Sequence, residues 1–281
     1  MRVIRFILVA LIAGPTGLLP AADEGAVSAP EIMARVAANQ DRAQAQRANY
    51  VYQQRIHVAS LWTNGKLARE ETTVYVVTPT PAGTKRDLKQ LDGRYWHKDR
   101  YLDYHGEPVP EPGSLDGDLV HDFRHDLINE SKDGLGQDLF PLTSEQQKRH
   151  TFELAGTESL HDRKVYRVRF RPLERDELAW AGEAIIDAEE FEPVRVSTHL
   201  SRPLPFLVRT MLGTNLPGLG FNVDYRRFDP QVWFPVGFGT EFRLHVLYII
   251  NRQVTVSLVN SDFERAKVES KILQYQFPPE K

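Results

Sequence analysis

Gly182-Glu-Ala-Ile-Ile-Asp187, an acidic turn, and then Pro193-Val-Arg-Val196 open the stretch from Trp180 to Asn260 that says most about the fold. Short strand-like runs follow around Phe221–Tyr225, Trp233–Pro235, Phe242–Ile250 and Val254–Leu258. In Phe242, Leu244, Val246, Tyr248 and Ile250 every second residue is apolar, the period of a strand with one buried face. Between the early and late runs lies one short apolar segment, Leu204–Gly213, which predicts a helix beside the sheet. The functional question is whether that helix plugs an ordinary core or covers a cavity that holds a ligand.

The same signals recur on the N-terminal side. Ser28 and Glu31 form an S-x-x-E capping box with Pro30 early in the helix, and Ile32, Met33, Val36 and Ala37 make its apolar stripe. The helix is expected to run to about Arg47 and to pack over the first strands. Strands are expected at 48–61 and 67–80, joined by Asn64-Gly65, a strong hairpin signal. Further strands are expected at 84–91 and 94–102, turning at Asp92-Gly93. A short amphipathic helix is expected at 119–129 and more strands around 151–154 and 166–170. The turn after 151–154 is placed at Gly156–Asp162, and Ser261–Phe277 reads as one more strand-like segment. A helical crossover every 30 residues or so would mark parallel units, and none is visible. The fold class is therefore α+β, mainly β, a single antiparallel sheet with a few helices on one face.

Composition bounds the function. The 281 residues carry 35 Lys and Arg against 38 Asp and Glu, and no cysteine. Disulfides, thiolate nucleophiles and Cys-based metal sites are excluded, as is the usual lipid attachment point of a bacterial lipoprotein. Met1–Arg5 is basic, Phe6–Leu19 is apolar and interrupted by Gly14-Pro-Thr-Gly17, and small residues follow to Ala22. That pattern reads as a cleaved export signal over 1–22, leaving 23–281 as one domain, periplasmic or secreted. The apolar run is too short for a spanning helix, and no later stretch is long and apolar enough to cross a membrane. Removing Arg2 and Arg5 takes the net charge from −3 to near −5, which argues against nucleic acid as a partner.

No catalytic constellation stands out. His121 and His125 have metal-ligand spacing on a helix, but the helical wheel puts them on the solvent side, opposite Phe123 and Leu127. Asp133–Asp138 lacks the acids of a calcium loop, and Gly218-Leu-Gly220 precedes a strand rather than a helix. Glu70-Glu71 and Glu189-Glu190 are sequence neighbours, which on a strand point to opposite faces. His57, His97 and an acid in one cleft would revive a hydrolase. No cofactor or metal is expected. Phe206, Leu207, Met211 and Leu212 of the apolar segment, with Phe221, Val223 and Tyr225 on one face of the next strand, are the candidate ligand-binding residues. Core packing and an acyl-chain cavity both use such side chains.

Ala184-Ile-Ile-Asp187 followed by Pro193-Val-Arg-Val196 resembles the strand–Asp turn–Pro-Val strand hairpin of LolA/LolB-like lipoprotein carriers. The start of the first strand at Asn49–Tyr52, Phe152–Gly156 with Tyr166–Val168, and Val232–Pro235 add to the resemblance, which covers about 30–265. It implies a strongly curved antiparallel half-barrel with helices covering the concave face. In the true carriers that hollow receives lipoprotein acyl chains. On this mapping 204–213 is a helix or lid near its mouth; the carriers' lid arginine has no mapped counterpart, and 84–148 has no assigned role. The resemblance implies an exported, non-enzymatic carrier or binding protein for a lipid or acylated protein, with possible peripheral membrane contact. A structural or interaction protein of the envelope with a filled core is the alternative, and a hydrolase ranks below both.

Overall fold

The computed structural model describes residues 27–80, 83–107, 114–129, 140–174, 180–201, 219–229, 232–246 and 250–266. Phe206, Leu207, Met211 and Leu212 lie outside the described residues, as does the rest of the 204–213 segment.

The N-terminal helix, α1 (Ala29–Arg47), starts where the capping box places it, with the Glu31 carboxylate accepting from the Ser28 backbone N–H at 2.9 Å. Strands β1 (Tyr50–Trp62), β2 (Leu67–Thr80), β3 (Gly83–His97) and β4 (Arg100–His105) follow as hairpins. Helices α2 (Leu115–Asn129) and α3 (Ser144–Gln147) then cross to the second run. That run is β5 (His150–Leu160), β6 (Arg163–Pro172), β7 (Trp180–Asp187), β8 (Pro193–Leu200), β9 (Gly220–Asp229), β10 (Val232–Val246) and β11 (Ile250–Arg265). Among the described residues these eleven strands form one antiparallel sheet, in the order β4-β3-β2-β1-β11-β10-β9-β8-β7-β6-β5. Every neighbour except β1–β11 is a sequence neighbour, and β4 and β5 are left as open edges. The sheet is therefore a curved half-barrel, not a closed one.

Several hairpin boundaries differ from the sequence expectation. Residues 84–102 do not turn at Asp92-Gly93. The strand runs through, and the turn falls at Lys98 (φ 45°) and Asp99 (φ 66°), two left-handed residues of the kind tight hairpins require. Gly93 instead makes room for a side chain, because a Cβ there would collide with the Tyr104 ring, which lies across it from β4. Likewise β5 continues past Gly156, which sits at a bulge, and turns at His161 (φ 48°) and Asp162 (φ 64°). The alternating run from Phe242 to Ile250 is not one strand: β10 ends at Val246 and β11 begins at Ile250. Alternation survives the hairpin because the register sets Phe242 opposite Val254 and Val246 opposite Ile250. The runs at 233–235 and 242–246 are one strand, as are 254–258 and 261–265.

Inner-face positions follow from pairing. Ile56, Leu258 and Phe238 are neighbours across β1, β11 and β10, and the row continues through Val223, Val196, Ala184 and Val168. All are buried, and they pack with Ile32, Met33 and Val36 of α1 into one cluster. Helix α1 lies against β5 and β10 rather than over β1 and β2, where α2 rests instead. Bulges between Val74 and Tyr75, Leu154 and Gly156, Ile185 and Ile186, and Pro235 and Gly237 bend the strands around these helices. At Gly182 the strands approach so closely that a Cβ would meet the Ser197 carbonyl oxygen, whereas Gly239 has nothing within 4 Å. Gly182→Ala is expected to cost about 1–3 kcal/mol through overpacking against backbone. Gly239→Ala is expected to be neutral or to stabilise by about 0.5 kcal/mol. Urea unfolding of the two variants checks both.

Candidate binding site on the inner face

The inner face has an apolar end and a polar end. At the apolar end the rings of Trp180 and Phe221 meet edge-to-face at 4.7 Å, and Phe221 stacks on Phe238 at 5.0 Å. From α2, Phe123 reaches Phe242 at 5.6 Å. Phe238 and Phe242 are buried, but Trp180, Phe221, Phe123 and Leu244 remain half-exposed. In this aromatic row Trp180 stands at the start of β7 opposite Leu200, Phe221 at the start of β9, and Phe238 and Phe242 on β10. Under α1, by contrast, Ile32, Met33, Val36, Val196 and Val223 are all at 0% exposure, so that region is packed solid.

At the polar end, charged side chains occupy strand positions that face the core. Glu71 is buried opposite Val58, while its neighbour Glu70 points outward and pairs with Arg94 at 2.5 Å. Glu71 accepts a hydrogen bond from the Tyr104 hydroxyl at 3.0 Å and pairs with Arg124 of α2 at 3.3 Å. Burial and the Glu71 charge push the Tyr104 phenol up to about 12. Arg69 is also buried, its guanidinium over the rings of Tyr104 at 5.1 Å and Tyr95 at 5.4 Å. The start of α2 is held by Asp116, which accepts from Arg252 at 2.7 and 3.0 Å and from the Ser60 hydroxyl at 2.6 Å. Sequence reasoning missed this cluster. Its signal was legible: Arg69, Glu71 and Thr73 fall on the parity of the buried positions in β2.

The candidate residues on β9 belong to one core cluster or pack against it, but differ in what else they touch. Phe221 joins the half-exposed aromatic row, and Val223 is wholly enclosed. Tyr225 is buried in the core cluster and also lines a groove of about 700 Å³ shared with Val165, Ile185, Val194 and Trp233. Ile185 alternates with the core residues Ala184 and Ile186, so this groove opens on the outer side of β6–β9. Its rim cations are engaged, for example Arg195 with Asp224 at 2.6 Å.

The Ile-Asp hairpin is a structural clamp. Asp187 is at 0% exposure; its Oδ1 accepts from the backbone N–H of Glu189 at 3.0 Å and Glu190 at 2.8 Å, and Oδ2 lies 2.9 Å from Arg163 Nε. Glu190 takes a second Arg163 contact at 2.6 Å, Arg227 at 3.0 Å and the Trp233 indole N–H at 2.9 Å. Burial opposes its ionisation, but the Trp233 and Arg163 hydrogen bonds prevail and hold its carboxyl below the usual value.

The histidines with ligand or catalytic potential are dispersed. His57 contacts Thr72 at 3.0 Å, His97 packs near Tyr95, and His121 stacks on His125 at 6.0 Å on the exposed side of α2. Among the described residues no group of three or more His, Cys, Asp or Glu could hold a metal, and no helix is long and apolar enough to cross a membrane.

No protein-family model matches the chain, and no curated protein does. Solved structures do. A LolA superfamily protein from Nitrosomonas europaea matches 88% of this chain and 97% of its own at 12% identity and a TM-score of 0.30. A putative outer membrane lipoprotein-sorting protein domain from Vibrio parahaemolyticus matches 86% of this chain and 95% of its own, at 8% identity and a TM-score of 0.35. The lipoprotein LppX of Mycobacterium tuberculosis matches 83% of this chain and 95% of its own, at 9% identity and a TM-score of 0.26. Each is a likeness at low identity and low TM-score.

Asp187→Ala leaves the two turn amides without their acceptor and removes one ion pair of Arg163, which keeps Glu190. It is expected to cost about 2–3 kcal/mol, as hydrogen bonds to a charged group do, measured by chemical unfolding near neutral pH. Glu189→Ala, an exposed neighbour, is expected to stay within about 0.5 kcal/mol.

Proposed function

We propose that the protein is an exported, non-enzymatic carrier or binding protein for a lipid or a lipidated partner in the bacterial envelope. The observation that carries this reading is the row of half-buried rings, Trp180, Phe221 and Phe123, with Leu244 also half-buried on the same inner face. Apolar pockets for small ligands are lined by such side chains with a few polar groups placed to orient the ligand. The cluster of Arg69, Glu71, Tyr104 and Arg124 supplies polar groups on the same face. Phe206, Leu207, Met211 and Leu212 would complete the apolar lining from the segment between β8 and β9. Residues 1–22 would act as the export signal and 23–281 as the mature single domain, working in the periplasm or outside the cell. No cofactor or nucleic acid takes part in this reading.

One observation favours a second reading, an envelope interaction protein with a filled core. Ile32, Val36, Ile186, Val196 and Val223 leave no exposed surface where α1 meets the sheet. The two readings part at the aromatic row. Mass spectrometry of lipids co-purifying with the mature protein from its natural host is expected to show a bound acyl lipid, and a clean apo spectrum sinks the carrier. Phe221→Asp is expected to lower uptake of a fluorescent fatty acid at least fivefold at a stability cost of about 1–2 kcal/mol. Val223→Asp, an unpaired charge in a dry core, is expected to cost about 3–5 kcal/mol. Comparable destabilisation by both variants would point to the filled core.

A further inference from the structure

The second half of α1 is seated on the β7–β8 turn by polar contacts. Asn39 donates to the carbonyls of Glu190 at 2.8 Å and Phe191 at 3.1 Å. The Arg35 guanidinium lies 4.6 Å from the centre of the Phe191 ring, and Arg47 donates to the Trp233 carbonyl at 3.1 Å. Within this seat lies Glu192, 8% exposed, whose carboxyl receives its hydrogen bond from the neutral amide of Gln40 at 2.6 Å.

Two carboxyls of one turn are thus treated in opposite ways. Glu190 has Arg163, Arg227 and Trp233 around it and stays ionised. Glu192 is enclosed, and its hydrogen-bond donor carries no charge. The charges acting on it are Arg47 and Arg42 from α1, which favour ionisation, and Glu190 from the turn, which opposes it. Arg163 of β6 and Arg227 of β9 are engaged by Asp187 and Glu190. Environments that push neighbouring carboxyls apart mark groups with separate roles.

We propose that the seat of α1 on the β7–β8 turn is a protonation-controlled clasp, which loosens the helix from the inner face as the Glu192 carboxyl ionises. Burial, the largest influence, pushes that carboxyl up to about 7, from 4.5. The sign follows from linkage. In the opened or unfolded chain Glu192 loses its proton near 4.5, while in the closed seat it keeps it until about 7. Between these values the open form binds fewer protons, so closure weakens as pH rises and levels off above neutrality. The clasp is tightest in mild acid. Any effect on ligand retention rests on the carrier reading above, through the place of α1 over the inner face.

Hydrogen exchange on the purified, ligand-free protein tests the clasp separately from that reading. Protection factors of α1 amides 39–47 are expected to fall roughly tenfold between pH 6 and pH 8. Those of the central β1–β11 pair are expected to fall less. In Glu192→Gln, which holds a neutral group of the same shape, the α1 profile is expected to be flat. Equal pH profiles in wild type and Glu192→Gln overturn the proposal. The carboxyl carbon of Glu192, followed by NMR in the unmodified protein, gives a second check. A midpoint near neutral is expected, and one near the ordinary carboxylate value overturns the clasp even where the variant does not fold. Loss of the pH effect with fatty-acid binding intact refutes the clasp alone. A pH effect without any lipid binding refutes the carrier alone.

Discussion

The fold depends on one long-range pairing, β1 with β11. Among the described residues every other strand pairing joins strands that are neighbours in sequence. This one joins Tyr50–Trp62 to Arg252–Arg265 from opposite ends of the domain. Loop-closure entropy grows only slowly with the length of the intervening chain, and the pairing extends along almost the whole of β1. A slip of one residue would turn Ile56, Val58, Val256 and Leu258 outward. Buried polar groups also hold the register: Gln54 donates to Asn260 at 3.2 Å, and Asn260 donates to the Pro235 carbonyl at 3.0 Å. The pairing leaves β4 and β5 as edges, so the sheet stays open and its inner face needs helices to cover it.

The two covering helices do this by different physics. Helix α1 buries Ile32, Met33 and Val36 completely at its first half and makes polar contacts with the β7–β8 turn at its second. Helix α2 buries Val120, but it is also held at its start by Asp116 with Arg252 and in its interior by Arg124 with Glu71. Burying charge is costly unless it is paired and hydrogen-bonded. Ion pairs at these positions therefore fix where α2 sits more than they add stability. The aromatic row includes Phe123 of α2, which packs on Phe242.

Much of this was legible from residue order. The capping box at Ser28, the Asn64-Gly65 hairpin and the alternation in β1, β6 and β9 are local signals, and local structure obeyed them. The Ile-Asp hairpin also read correctly as two strands and a turn. The boundaries that shifted did so because glycine has two uses. At Gly93 it makes room for a ring, and the left-handed turn falls to Lys98 and Asp99. The candidate site was only half visible. Phe221, Val223 and Tyr225 share a strand face in sequence and one core cluster in the structure, where Phe221 alone stays half-buried. The polar cluster left only the parity of Arg69, Glu71 and Thr73 in β2 as a signal, and the Gln40–Glu192 contact joins residues far apart in the chain, which no pattern within one segment encodes.

If the protein is a carrier, an apolar ligand lies against the aromatic row. Quenching of single-tryptophan variants by a fatty acid brominated along its chain probes that contact at short range, since the chain has four tryptophans, at 62, 96, 180 and 233. With only Trp180 retained, strong saturable quenching is predicted, against little for the variants that keep Trp62 or Trp96. Equal quenching of all four, or none at Trp180, would rule out a ligand seated on this row.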